Sequence, residues 1–223
     1  MLFRSDRVMR GKMGGRDKFS GNMYAGDAVT AAKDAEYLDA VSSGDMSKAQ
    51  MMVDEAAKGA GYTIEAYKAM PERDWKTGEP INIIDSRNGP WAGFFTDTKT
   101  VADRFGRIMR TPVRRALLKI EKPFEIDATG KAAGELQFDI IDDSGPYKQK
   151  NNAQALGAIK SGEYDAIILK NTTDEGTVSV PLYPNQIKSA DPVTYDSSGN
   201  LIPLSQRFRP ESPDIRYSRV NDS

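Results

Sequence analysis

The chain contains no cysteine and no histidine. Without cysteine there are no disulfides, no thiolate nucleophile and no zinc–thiolate centre. Without histidine there is no Ser-His-Asp or Cys-His catalysis, no imidazole metal ligand and no side chain that titrates naturally near neutrality. Any chemistry must come from carboxylates, amides, hydroxyls, lysine, arginine or tyrosine. The chain also lacks an apolar run approaching the ~18 residues of a membrane span, and its basic start, MLFRSDRVMRGKMGGR, is followed by no apolar stretch of the signal-peptide type. No membrane partner is expected. Neither GxGxxG nor GxxxxGK[ST] occurs, which argues against a parallel dinucleotide-binding sheet and a P-loop.

What is present is a chain of 223 residues with 39% hydrophobic and 28% charged residues and a net charge of −1. That suits one domain with arms. The overall charge exerts no pull on nucleic acid, but residues 1–26 gather Arg4, Arg7, Arg10, Lys12, Arg16 and Lys18 against Asp6 and Asp17. This segment reads as a basic flexible arm with a possible role in nucleic-acid contact. It lacks the interleaved aromatics of a stacking platform.

Residues 27–61 read as a helical hairpin. Asp27 is placed to cap Ala28–Val41, and Asp45 to cap Met46–Lys58, in which Ala49, Met52, Val53 and Ala56 recur at helical spacing. From Tyr62 the period shortens. Strands are predicted over Tyr62–Met70, Ile81–Ile84, Trp91–Thr96, Val113–Ile120, Phe124–Ile126, Leu136–Ile141, Tyr164–Lys170 and Thr177–Tyr183. Helices are predicted from Asp97 or Thr98 to Ile108 and over Gln149–Lys160. Residues 62–190 thus form the main α+β domain. Residues 191–223, rich in Pro, Ser and Asp, read as an extended or disordered tail, with Arg207, Arg209, Arg216 and Arg219 solvated.

Four segments carry a resemblance: DAEYLDAVSSGDMSKAQMMVDEAAKGAGYT, GFFTDTKTVADRF, YDAIILKN, and PNQIKSADPVTYDSSGNLIPLSQRF with DIRYS near the end. Together they resemble the ADP-ribosyltransferase domain of phage and mobile-element polyvalent proteins. That family sits in the histidine–tyrosine–glutamate branch shared with diphtheria-type toxins and poly-ADP-ribose polymerases. The resemblance implies an α+β fold of split antiparallel sheets with an N-terminal helical hairpin. It also implies NAD as substrate, bound in a cleft between the sheets, and ADP-ribose transfer to a host protein in the cytoplasm after delivery by the phage or its virion.

The resemblance further assigns residues. The first-strand motif, usually Tyr-His-Gly-Thr, reads Tyr67-Lys68-Ala69-Met70, so Lys68 stands for the histidine. Gly93-Phe94-Phe95-Thr96 carries the first aromatic, and Phe105 the second. Phe94 and Phe105 would then sandwich the nicotinamide, with stacking kept and the tyrosine hydroxyls lost. Ala102 replaces a serine. The glutamate position falls at Gln186, whose amide accepts a hydrogen bond but stabilises a ribosyl cation less than a carboxylate, a loss typically worth about 10²–10³ in rate. Asp174 and Glu175, in the loop before the last predicted strand, are candidate substitutes. The sequence leaves open a slow transferase, a catalytically silent adaptor and an NAD glycohydrolase. Each residue also has a plainer reading: core aromatics for Phe94 and Phe105, solvated strand and loop positions for the others.

Overall fold

A computed structural model describes residues 20–69, 93–133, 157, 161–196 and 198–212. The basic arm up to residue 19, the strands expected at Ile81–Ile84 and Leu136–Ile141, most of the helix expected at Gln149–Lys160, and Trp91 lie outside the described residues.

The chain opens with the hairpin of α1 (Ser20–Ser42) and α2 (Met46–Gly59). Helix α1 begins at Ser20, so Asp27 lies inside it instead of capping it, and residues 20–26 are helical, not part of an arm. Asp45 does cap α2, its carboxylate accepting from the Lys48 N–H at 3.0 Å. Ala49, Val53 and Ala57, one turn apart, form the buried stripe of α2 and meet Tyr37 and Ala40 of α1.

Next come β1 (Ile64–Ala69), β2 (Phe95–Thr96), α3 (Lys99–Met109), β3 (Val113–Leu118), β4 (Pro123–Asp127), β5 (Ala166–Lys170) and β6 (Val178–Pro181). A 3-10 turn at Pro184–Gln186 leads into β7 (Ile187–Ser189), and α4 (Leu204–Arg207) follows. The strands form one sheet in the order β4-β5-β6-β2-β1-β3-β7, every pairing antiparallel except β4 with β5. The expected α+β class with N-terminal helices is what is found. The split between sheets survives as a waist: β2 contributes a single register pair to β1, Tyr67 opposite Thr96.

The register sorts side chains between two faces, because neighbours along a strand alternate and cross-strand partners share a face. One face carries Ala66, Phe95, Ala116, Leu118 and Ile187 as a core cluster. The other carries Val178, Val180, Ile167, Leu169 and Ile126, with Phe94 and Phe124 packed against them. Helix α3 lies on this second face, since its Gly106 approaches the Ala69 and Val113 side chains. A Cβ at Gly106 would meet the Thr111 carbonyl at 2.9 Å, so only glycine permits that approach. The helical hairpin covers the same face further along, burying Leu117 of β3.

The expected tail is folded from 191 to 212 and packs as a strap over the hairpin. Arg207 is fully buried and donates to the carbonyls of Ser189 at 3.2 Å, Asp191 at 2.7 Å and Pro192 at 3.1 Å. Lys188, also buried, donates to the carbonyls of Arg209 and Ser212 at 2.6 and 3.0 Å. Tyr37 donates to the Pro192 carbonyl, and Asp34 accepts from both the N–H and the hydroxyl of Ser205. Arg207 is therefore a structural clamp, not a solvated cation. Of the two expected forms, extended or disordered, residues 191–196 and 198–212 show the extended one, held by buried cations and not by an apolar period. No helix among the described residues is long and apolar enough to cross a membrane.

Candidate cofactor cleft

The first-strand motif straddles the sheet. Tyr67 pairs with Thr96 on the α3 face, which places the next residue, Lys68, on the opposite face with Phe95. The Lys68 ammonium sits 5.0 Å from the Phe95 ring centroid. It also abuts Gly93, where an added Cβ would clash with the lysine Nζ and where φ is +83°. Burial lowers the Lys68 pKa to about 8. Phe94 packs on the α3 face, so Lys68 and Phe94 do not line one cleft, contrary to expectation. Phe95 is wholly buried and belongs to the core, not to a ligand site. Thr96 is buried too, and its hydroxyl accepts from the Thr98 N–H at 3.1 Å, shaping the entry to α3.

Phe94 and Phe105 do share a side of the sheet. Phe94 is half-buried against the cluster of Val178 and Val180, and Phe105 stands on the flank of α3, 38% exposed, with the Arg104 guanidinium 5.6 Å from its centroid. Between the two helical layers on this face lies Tyr67. Its hydroxyl donates to Glu65, which also accepts from Arg115 at 2.6 Å. The Arg115 bond, helped by that of Tyr67, holds the Glu65 carboxyl below the ordinary carboxylate range, while the hydrogen bond to Glu65, with burial, raises the Tyr67 phenol. Glu65 and Arg115 keep 42% and 31% of their side-chain surface exposed. Sequence reasoning passed over both. The available signal was Glu65 two residues before Tyr67 on a strand, hence on the same face.

Gln186 is elsewhere and fully occupied. Its Oε1 accepts from the N–H groups of Leu182 and Tyr183 at 3.1 and 2.9 Å, and its Nε2 donates to the Lys119 carbonyl at 3.0 Å. Lys68 pairs with Arg114 and Gln186 with Lys119. About five residues therefore separate them along the sheet, roughly 17 Å at ~3.3 Å per residue. The assignment of Gln186 as a catalytic group beside Lys68 is corrected: it closes the turn between β6 and β7 and fastens it to the end of β3.

Asp174 is likewise a brace. Its carboxylate accepts from Arg104 at 3.2 Å and from the Ala133 N–H at 2.8 Å, tying the β5–β6 loop to α3. These bonds commit the Asp174 carboxylate to bracing the loop. Glu175 is exposed at the loop tip, in a left-handed conformation with φ +69°. Gly176 beside it leaves room for Asp97 and Thr98, which any Cβ would strike, and Asp97 accepts from the Thr177 N–H at 3.0 Å. Among the described residues no acidic group of three or more is placed to hold a metal.

The arrangement thus offers aromatic rings on the α3 face and carboxylates already paired with guanidinium groups. Residues 58–195 match the family described as ADP-ribosyltransferase in polyvalent proteins. No curated protein and no solved structure matches the chain.

Proposed function

Because the chain belongs to the ADP-ribosyltransferase family of polyvalent proteins, we propose that it binds NAD on the α3 face of its sheet and transfers ADP-ribose slowly to a host protein. The observation that carries this reading is the side shared by Phe94, Tyr67 and the α3 flank bearing Phe105. A nicotinamide ring needs only two π-faces to be held, and phenylalanine provides them as well as tyrosine does.

In such a transfer the bond between nicotinamide and the ribose C1′ breaks, and its electron pair leaves with the nicotinamide. The positive charge left on the ribose is quenched by a nucleophile of the acceptor, whose proton passes to water. A preorganised carboxylate beside that charge lowers the barrier. Glu65 is a carboxylate on this face, and the Arg115 guanidinium, which also pairs with Asp54, neutralises much of its field. Slow turnover follows from that pairing. Tight commitment of Gln186 to the backbone also favours a second reading, a silent adaptor that keeps the fold and binds without chemistry. In a third, NAD glycohydrolysis, water is the acceptor. A phage setting, action in the host cytoplasm and any nucleic-acid contact through residues 1–26 belong to the same proposal.

The test is incubation with NAD labelled in the adenylate and, separately, in the nicotinamide, with and without bacterial extract. Transfer gives labelled protein together with free nicotinamide, and hydrolysis gives nicotinamide without labelled protein. Calorimetric titration with NAD completes it. Binding weakened about tenfold or more by Phe105→Ala supports the cleft, and unchanged affinity in a folded variant refutes it.

A further inference from the structure

Helix α3 carries a second set of polar groups, on the flank turned away from Phe105. Lys99, Asp103, Arg107 and Arg110 follow one another at intervals of four, four and three residues, so they share one side of the helix. At about 100° per residue, Arg110 lies roughly 140° around the helix from Phe105. These side chains wall a hollow of about 520 Å³, which Gly106, Thr111 and Val113 complete.

The charge of the hollow is unbalanced. Asp103 accepts from the Lys99 ammonium at 2.8 and 2.9 Å, so those two groups offset each other. Arg107 and Arg110 line the hollow and make no ion pair among the described residues. Arg110 is also held against a backbone preference, since it caps α3 in the left-handed region at φ +53°, where glycine is the usual residue. Strain of that kind is a pointer to function when the side chain faces a concave site. Thr111 adds a hydroxyl that is closed off from bulk solvent and has no hydrogen-bond partner among the described residues. Buried hydroxyls are ordinarily satisfied, and one left unsatisfied beside a hollow calls for a group that completes it.

We propose that this hollow binds an oxyanion of the phosphate class, a phosphomonoester or a pyrophosphate on a polar carrier, at a site separate from the nicotinamide cleft. Guanidinium groups match phosphate oxygens in bidentate pairs. Two of them one helical turn apart clasp a group with three terminal oxygens, and the Thr111 hydroxyl serves as a neutral donor beside them. The volume falls within the roughly 300–1,000 Å³ of small-molecule sites and leaves room for more than the phosphoryl group. Among the described residues no aromatic ring lines the hollow, so a nucleobase gains no stacking there and a sugar phosphate suits it better. The site does not rest on the transferase reading.

The full chain is titrated calorimetrically with inorganic phosphate, pyrophosphate and ribose 5-phosphate, at an ionic strength held constant with sodium chloride. Acetate and AMP are titrated alongside. The phosphate-bearing probes are expected to bind, and acetate is not. Arg107→Gln and Arg110→Gly are each expected to weaken pyrophosphate binding about tenfold or more. Arg110→Gly relieves the positive φ, so its thermal melt should equal or exceed that of the wild type. Thr111→Val removes a hydroxyl that has no partner to lose, and should keep the melt while weakening binding about threefold or more. Variants that lose stability but keep pyrophosphate affinity would assign these residues to the helix end alone and overturn the proposal. So would acetate binding as tight as that of phosphate, or no binding of any phosphate probe. AMP bound about tenfold tighter than ribose 5-phosphate would overturn the polar carrier. NAD affinity is expected to be unchanged by saturating pyrophosphate, and competition that disappears in Arg107→Gln would overturn the separate site. Absence of NAD binding, with the phosphate titrations as expected, would refute the nicotinamide cleft and leave the oxyanion site standing.

Discussion

Replacing Lys68 by methionine removes one ammonium and keeps most of the side-chain volume. In the wild type, burial lowers this amine from 10.5 to about 8. At ~1.36 kcal/mol per pH unit, holding the charge in the folded state near pH 7 costs up to about 3 kcal/mol. The residue is only partly withdrawn from solvent, and its approach to the Phe95 ring returns up to about 1 kcal/mol. A net gain of roughly 1–2 kcal/mol for Lys68→Met at pH 7 is therefore expected. The sign reverses nowhere but the size changes with pH. Between pH 8 and 10.5 the unfolded chain keeps a proton that the folded chain has released, so this group makes wild-type stability rise with pH, by about 1 kcal/mol between pH 7 and pH 9.5 after the same discount for exposure. The variant lacks that rise. Urea melts of both proteins at pH 7 and pH 9.5 read the difference directly, and other titrating groups cancel in the comparison. A gap that stays constant with pH, or a variant less stable by more than about 1 kcal/mol at pH 7, would refute a desolvated amine at this position.

Gln186→Glu, which would restore a carboxylate at the position that the family resemblance makes catalytic, is expected to destabilise the fold by about 1–3 kcal/mol, because an oxygen would then face the Lys119 carbonyl in place of a donor. Thermal melts check this, and faster nicotinamide release from the variant would contradict the structural role. Arg207→Met should lower stability by about 3 kcal/mol or more, since the carbonyls of Ser189, Asp191 and Pro192 lose their donor. Chemical denaturation measures it, and a loss under 1 kcal/mol would mean that the clamp is dispensable. Gly176→Ala should cost about 1–3 kcal/mol, because φ is +74° and the new methyl meets Asp97 and Thr98. Hydrogen exchange at the Thr177 amide would report the loosened loop, and unchanged protection would contradict the prediction.

Much of the fold was legible where one rule acted alone. Asp45 with Ala49, Met52, Val53 and Ala56 at helical spacing announced α2, and the continuous apolar run of Ala166–Leu169 announced β5. Facing was harder to read. Phe94-Phe95 is a doublet, so alternation could not say which ring is core, and only the pairing of Tyr67 with Thr96 assigns Phe95 to the far side. The same pairing separates Lys68 from Phe94. Gln186 was misjudged because an amide serves equally as a ligand or as a backbone staple, and sequence carries no sign of the carbonyl at Lys119. The strap was missed for a related reason. Its polar composition suggests solvation, whereas its order comes from cations binding main-chain oxygens, a pattern that leaves no hydrophobic period. β7 escaped notice because its three residues follow a proline–asparagine turn.

The strap sets a timetable for the molecule. Asp34 and Ser205 are 171 positions apart, and Tyr37 and Pro192 are 155 apart. During synthesis the helical hairpin emerges early, yet its outer surface cannot be closed until Arg207 has left the ribosome. Contacts of such long range slow folding, because the loop must be closed before they can reward it. A ribosome pausing within the last predicted strand would hold a nascent chain with the hydrophobic side of α1 and α2 uncovered. Such a chain is a substrate for holdase chaperones and proteases until its final stretch arrives.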